Sequence, residues 1–425
     1  MISSAHLLLF LIVAISIVLM LIRPRNIPEV YWISAGVLAL LIFRLVPLQL
    51  AAHAVTKAMD VCLFLIGMML LSELAREHGV FDWLSSVTVR NANGSCSRLF
   101  ALVYAAGTLV TVFLSNDATA VVLTPAILAA VRKAKVQPLP YLFVCALIAN
   151  AASFLLPISN PANLVVFHNK MPPLGRWLVS FAVPCLLSVA ATFLVMRWLF
   201  RNDLRAPIEG EVEAKPLTQD GKLVLRGLAV MVAVLLGASS MGKDLGLPTC
   251  LAALAVTAVV SIHARCNPLR LAREISWATL ALVAGLFVMV DAVESVGAMD
   301  HTKAWFVWVE NLGPTAATLI TGSFVGIANN LVNNLPLGLI AGSTLQAAHA
   351  KGLLAGAVLI GVDVGPNLSV TGSLATILWL IALRKQKIDV SFWDFLKVGV
   401  VAMPVALLAS LTGVLLMQIW FQTSW

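Results

Sequence analysis

The chain has 425 residues, 60% of them hydrophobic and only 11% charged, against roughly 25% charged in an average soluble domain, which excludes an ordinary soluble enzyme or nucleic-acid-binding module. The net charge of +8 is explained by where Lys and Arg fall between apolar runs and needs no acidic partner. Six cysteines, Cys62, Cys96, Cys145, Cys185, Cys250 and Cys266, are dispersed with no ligand or disulfide spacing, so neither a metal cage nor a cofactor is expected.

The first apolar run, 6–22, has no basic residues before it and no small-residue cleavage site after it. It reads as an uncleaved span and not as a signal peptide. Further runs at 32–50, 178–196 and 398–421 each approach or exceed the ~20 residues that cross ~30 Å of hydrocarbon, and about ten such spans make a polytopic helical bundle in lipid. With the N-terminus outside, Arg23 and Arg25 follow the first span on the inside. Continued alternation leaves only Arg44, Lys57, Lys170, Arg176, Lys243, Lys303 and Lys351 outside among 28 Lys and Arg. That bias is the positive-inside signature of an inner membrane protein and sets both termini outside. Trp32, Trp83, Trp177, Trp393 and Trp425 read as anchors at the membrane interface.

Between Arg98 and Arg132, both inside, the chain is too long for one crossing and of the wrong parity for it. A re-entrant hairpin resolves this, with arms over 99–114 and 118–131 and its turn on Ser115, Asn116 and Asp117. Backbone at such a tip cannot satisfy itself and is tolerated only against protein or a water-filled cavity. The next span is interrupted by PISNPAN (157–163), where proline removes a donor and breaks the helix.

The most polar interior stretch, 201–222, RNDLRAPIEGEVEAKPLTQDGK, reads as a cytoplasmic linker between a membrane half at 1–200 and a second at 223–425. The second half repeats the pattern from the opposite face. GIANNLVNNLPLGLI (326–340) forms its hairpin tip, and DVGPN (363–367) running on to SVTGS (369–373) forms its break. The expected fold is therefore all-α, two inverted-topology repeats, each with about five transmembrane helices and one re-entrant hairpin, whose broken helices meet at a site near the midplane.

Asn116 and Asp117 stand where a helix N-cap would lie, and capping competes with a ligand-facing role. The four amides Asn329, Asn330, Asn333 and Asn334 cannot all be caps. Asp117 and Asp363 are the carboxyls at the broken elements. An ionisable group at that depth costs about 2.5–3.5 kcal/mol to insert and is a functional candidate by default. Both are candidates to carry a coupled proton, and Asp117, at the more confined tip, is the favoured one. Asp60, Glu73, Asp291 and Glu294 lie nearer span ends and read as interfacial, and none of the seven histidines is assigned a role. No Ser or Cys at depth has a His partner, which argues against an enzyme.

SNDATAVVLTP (115–125), NNLPLGLI (333–340) and VGPNLSVTGSLATILWL (364–380) resemble the ArsB arsenite efflux pumps, the arsenical pump membrane proteins of the ion transporter superfamily. The resemblance implies export of trivalent arsenic and antimony hydroxides in exchange for protons, in some members with a cytoplasmic ATPase partner. By matching position it implies a site lined by Ser115, Asn116, Asp117, Asn160, Asn333, Asn334, Asp363, Thr371, Gly372 and Ser373. Arsenite at neutral pH is an uncharged polyol, and asparagine offers it both donor and acceptor. Helix N-termini at the breaks would serve an anion equally well, so a sodium or organic-anion antiporter of the same superfamily remains the alternative.

Overall fold

The computed structural model describes residues 4–167, 171–208, 210, 216–297, 299–348 and 352–421. Lys170 and Lys351, used above for orientation, and Trp425 lie outside them. Among the described residues every regular element is helical, and the strand-like pairing is confined to an isolated bridge between Ser95 and Pro207. Nine helices there are long and apolar enough to cross a membrane.

The chain opens with α1 (Ser4–Ile22), α2 (Glu29–Ile42) and α3 (Leu48–Glu77). A turn between α2 and α3 corrects the single span expected over 32–50: Arg44 adopts a left-handed φ of 53° and Pro47 stands before the new helix, so the hydrogen-bond ladder cannot run through. After Gly79 comes α4 (Val80–Asn91), a short helix where the sequence suggested only an inside loop. The first hairpin follows, built of α5 (Cys96–Phe113), α6 (Asn116–Ala118), one π-helical turn (Thr119–Leu123) and α7 (Thr124–Lys133). Pro125 lacks the N–H that would continue the ladder, and the Thr124 hydroxyl donates to Thr119 O at 3.0 Å in that slipped turn. Then come α8 (Leu139–Ala151), a 3₁₀ turn (Pro157–Ser159), α9 (Pro161–Phe167) and α10 (Leu174–Leu199).

The linker packs back on the first half through Ile208 N to Gly94 O, 3.0 Å, and Gly210 N to Ala134 O, 3.2 Å. The second series begins at Gln219, where Thr218 caps the helix by accepting from Gly221 N. It runs α11 (Gln219–Ser240), α12 (Gly246–Ala264), α13 (Pro268–Glu274), α14 (Trp277–Ser295), α15 (Met299–Glu310), α16 (Pro314–Val332), α17 (Asn334–Ala347), α18 (Leu353–Val364), two 3₁₀ turns (Gly365–Asn367 and Val370–Gly372), α19 (Leu374–Lys385) and α20 (Phe392–Phe421). Apart from α13, both series run in one order: three apolar helices, a short helix, a hairpin, a broken helix and a long closing helix.

Two packing groups result. In one, α3 lies against α12 and α14, α1 against α2, and α11 against α12. In the other, α10 runs along α20, α5 packs on α8 and α16 on α18. The broken helices interlock here, since α9 crosses α17 of the other series and α19 lies against α7 and the π-helical turn. Trp177 is no interface anchor: it is fully buried and donates to Phe154 O at 3.1 Å, as Trp379 donates to Leu142 O at 3.0 Å. Trp393 is exposed.

Where α17 crosses α9, a Cβ on Gly342 would lie 2.4 Å from Val166 O, so the crossing requires glycine. Gly342→Val should lower the thermal unfolding midpoint of the purified protein by the equivalent of about 1–3 kcal/mol, as overpacking does. Gly237→Val, on a helix face with nothing within 4 Å, should leave the midpoint nearly unchanged.

Candidate functional site

The first tip is turned by Ser115, whose extended backbone ends the hairpin's first arm and whose Oγ accepts from Ala118 N at 3.1 Å. The cap is thus Ser115, one residue before the pair expected to compete for that duty. Asn116 Oδ1 accepts from Asp117 N at 2.9 Å, and the Thr111 and Thr119 hydroxyls meet at 2.8 Å to tie the two arms together. At the second tip Asn333 holds a positive φ of 78°, its Oδ1 accepts from Leu335 N and its Nδ2 donates to Thr371 O at 3.2 Å.

The four amides of the second tip divide the work. Asn329 donates to Gly361 O (2.7 Å) and Val362 O (3.1 Å) at the end of α18. Asn330 donates to Gly365 O at 3.1 Å and accepts from Ser369 N at 3.0 Å. Asn333 is the cap, and Asn334 is buried with Oδ1 unpartnered among the described residues. Only Asn334 of the four lines the pocket described below.

The breaks carry their own polar set. Asn160 caps α9 by accepting from Ala162 N at 3.0 Å, and its Nδ2 donates to Asp363. Asn163 donates to Ser153 O at 2.9 Å. In the second break Ser373 and Thr376 form a reciprocal capping box at the start of α19. Across the two series, Asn150 Nδ2 donates to Asn367 Oδ1 at 2.9 Å, Asn367 Nδ2 to Leu147 O at 3.0 Å, and Ser373 Oγ to Asn150 Oδ1 at 3.3 Å.

These elements converge on one narrow pocket lined by Asn116, Asp117, Asn160 and Asn334, with Leu65 of α3, Thr279 of α14 and the first residues of α9, α17 and α19. It adjoins a vestibule of about 190 Å³ that shares Leu65, Asp117, Pro161 and Thr279 with it, adds Ser115 and a methionine pair, Met68 and Met69, and has Glu73 and Glu274 among its lining residues. Glu73 is paired with Arg76, so the vestibule reaches the face that the charge bias assigns to the cytoplasm. Neither lining contains Lys, Arg or His.

Of the residues singled out in the sequence, Ser115, Asn116, Asp117, Asn160 and Asn334 therefore line the joined cavity. Asn333, Thr371, Gly372 and Ser373 stand behind it in the wall: Thr371 donates to Asn330 O at 3.0 Å, and a Cβ on Gly372 would lie 2.5 Å from Pro366 Cα. Asp363 is fully buried behind Asn160. Of the carboxylates read as interfacial, Asp291 is buried and pairs with Lys57 at 2.9 Å, while Asp60 accepts from Gly246 N at 2.7 Å, so both join helices. Sequence reasoning missed Asn150, Ser153 and Asn163. The signal for Asn150 and Ser153 was present in ALIANAASF (146–154), where polar residues interrupt an apolar run next to a break, and Asn163 closes the PISNPAN break itself. All six cysteines are free, and among the described residues no three His, Cys, Asp or Glu come together as a metal would need.

Comparison with known proteins fits this architecture. Residues 17–364 match the CitMHS family, described as citrate transporter. The arsenical pump membrane proteins of Yersinia enterocolitica and Escherichia coli (strain K12) are each 26% identical, over 349 and 351 residues, covering 79% of this chain and 81% of theirs. The putative arsenical pump membrane protein of Bacillus subtilis (strain 168) is 23% identical over 431 residues, 95% of this chain and 96% of its own. Among solved structures, the Alcanivorax borkumensis YdaH transporter, reported to have an unusual topology, superposes with a TM-score of 0.59 at 14% identity, covering 88% of this chain and 87% of that one, a likeness of fold alone. With most of its length inside the family match, this chain belongs to the CitMHS citrate-transporter family, membrane transporters and not enzymes.

Proposed function

We propose that the protein is a secondary active exporter of trivalent arsenic and antimony, as arsenite and antimonite, in exchange for protons. The observation that carries this reading is the lining of the cavity: amides from both tips and one break, the carboxyls of Asp117, Glu73 and Glu274, and no cationic side chain. A neutral polyol finds donors and acceptors there at no Coulombic cost, whereas an organic anion would face Asp117 with nothing to neutralise it. The similarity to arsenical pump membrane proteins supports the same substrate.

Asn116, Asn160 and Asn334 are the binding amides on this reading, and Ser115, Asn333, Thr371, Gly372 and Ser373 shape the tips and breaks that present them. The halves 1–200 and 223–425 are inverted repeats in the inner membrane, both termini outside, with 201–222 in the cytoplasm as the surface an ATPase partner would use. A neutral solute feels no membrane potential, so export against a gradient needs a coupled charge. One proton entering through 100 mV is worth about 2.3 kcal/mol, enough for roughly a 50-fold gradient. Asp117 and Asp363 are the carboxyls positioned to carry it.

Expression in an arsenite-sensitive bacterium should confer resistance together with lowered cell arsenic. Resistance absent, with accumulation unchanged and the protein present in the membrane, would overturn the substrate assignment, and citrate uptake by the same cells would favour the organic-anion reading.

Asn116→Ala and Asn334→Ala should each weaken antimonite binding about tenfold, the loss of roughly one hydrogen bond. Asn334→Ala should leave thermal stability nearly unchanged, whereas Asn116→Ala should also lower it modestly because Asp117 N loses its acceptor. Asn329→Ala should do the reverse, because its amide serves Gly361 O and Val362 O: a clear drop in unfolding midpoint and a smaller change in affinity. Calorimetric titration beside thermal unfolding distinguishes the two patterns.

A further inference from the structure

The two carboxyls at the broken elements differ in their surroundings. Asp117 faces the cavity, whereas Asp363 lies behind it on the last turn of α18 with no exposed surface. Asp363 Oδ1 sits 2.5 Å from Ser153 Oγ and 2.5 Å from Asn160 Nδ2. Ser153 Oγ is also 2.7 Å from Asn150 O. A hydroxyl has a single hydrogen, and a carboxylate oxygen and a carbonyl oxygen both only accept. Both contacts are satisfied together when Asp363 carries a proton on Oδ1 and donates it to Ser153 Oγ, whose own hydrogen then goes to Asn150 O. Asp363 Oδ2 is buried with no donor in reach among the described residues, which costs a carboxylate oxygen more than it costs the C=O of an acid.

Among the described residues no cation balances a charge there. Of the elements packed on α18, α9, α16 and α17 carry no Asp, Glu, Lys, Arg or His, and Arg176, Arg197, Asp394 and Lys397 lie near the ends of α10 and α20. On α8, Tyr141 donates to Cys96 O, and Cys145 is buried beside Thr124. The titratable group facing Asp363 is the buried Cys185 thiol of α10, which donates to Ala151 O at 3.8 Å, with Tyr104 beyond it bonded to Val189 O. Asn160 connects this buried acid to the pocket. Its Oδ1 is fixed by Ala162 N, Nδ2 gives one hydrogen to Asp363, and the other, engaged only by a long 3.5 Å contact to Ser153 Oγ, is available to the pocket that Asn160 lines.

We propose that Asp363 is the positioning residue that couples the proton to the substrate: its proton lies in the bond to Ser153, and proton and substrate compete through Asn160. When the proton leaves to the aqueous pocket beyond Asn160, the Ser153 hydroxyl turns from Asn150 O to the carboxylate. The Asn160 N–H then bonds a charged acceptor, which makes the bond roughly twice as strong as to a neutral one. Asn160 is thereby locked in its pocket-facing rotamer, ready for a solute. Reprotonation releases that lock and weakens binding. The proposal rests on the reading of the protein as a proton-coupled exporter, and it assigns Asp117 to contact with the solute.

Two measurements on the full chain in lipid nanodiscs test it. First, an infrared titration over about pH 5–9 should contain the C=O band of a buried protonated carboxyl that is missing in Asp363→Asn and moved in frequency in Ser153→Ala. A band surviving in Asp363→Asn, or one that responds to sodium at fixed pH and not to pH, overturns the assignment without reference to any solute. Second, antimonite binding by the wild type should tighten roughly tenfold as pH rises through the range where the band fades, and should be flat and weak in Asp363→Asn. Flat wild-type binding across that range overturns the link through Asn160. Absence of antimonite binding at every pH would count against the arsenical reading, while the infrared result would still decide where the proton sits.

Discussion

The structure depends on one constraint: inside a bilayer, every backbone N–H and C=O must find a partner within the protein. Two hairpin tips and two broken helices violate the ordinary helical solution in four places, and each leaves groups that water cannot reach. Asparagine is the instrument that restores them, because one side chain both donates and accepts. Asn329 serves the last carbonyls of α18, Asn330 serves Gly365 O and Ser369 N, Asn163 serves Ser153 O, Asn367 serves Leu147 O, and Asn160 takes Ala162 N. Each bond contributes little net stability, but each orphaned group would cost about 1–3 kcal/mol.

Asn367 among these reaches the other series, and with the bonds of Asn150, Ser373 and Asp363 across the same seam it makes the two halves complete one another. Leu147 O of α8 is met by Asn367, the Asn150 side chain near the end of α8 by Asn367 and Ser373, and the Asp363 side chain on α18 by Ser153 and Asn160, each from the other half. The crossing of α17 over α9, possible only because Gly342 presents no side chain, brings the tips together. The seam where backbone must be repaired is therefore also where polar groups converge, and a solute pocket at that seam needs few further polar residues.

The existence and the order of the breaks were legible in the sequence because the signals are local: proline, glycine and runs of amides inside otherwise apolar segments, at matching places in two halves. Both hairpins and both interruptions fall where SNDATA, NNLPLGL, PISNPAN and the 363–373 run put them. What periodicity could not give was direction. Four adjacent-looking amides on one tip reach three different targets, and only Asn334 faces the pocket, since a change of about 100° per helical residue separates lining from wall. Trp177 and Asp291 were misread for a related reason. Their distance from a span end suggested the interface, but the neighbours that bury them, Phe154 for one and Lys57 for the other, come from elsewhere in the chain. The short helix α4 was hidden because its polar face resembles an inside loop.

The charge balance of the cavity bears on the choice between a neutral solute and the organic anion suggested by the family description. An anion of about three charges needs compensation, and the positive helix ends at α9, α17 and α19 supply at most about half a charge each, roughly one and a half in total. Asp117, when ionised, cancels most of that. Arginine or lysine is the usual remedy for carboxylate recognition, and neither lines the pocket or the vestibule. A polyol has the opposite requirements: it must be surrounded by groups that donate and accept, and a carboxylate among them is an advantage, because a hydroxyl hydrogen bonds a charged oxygen more strongly than a neutral one. The same amides that repair the backbone are suited to that task. A cavity assembled to satisfy broken helices with neutral side chains thus begins with a bias toward a neutral hydroxylated solute, and a single carboxyl at the tip sharpens that bias.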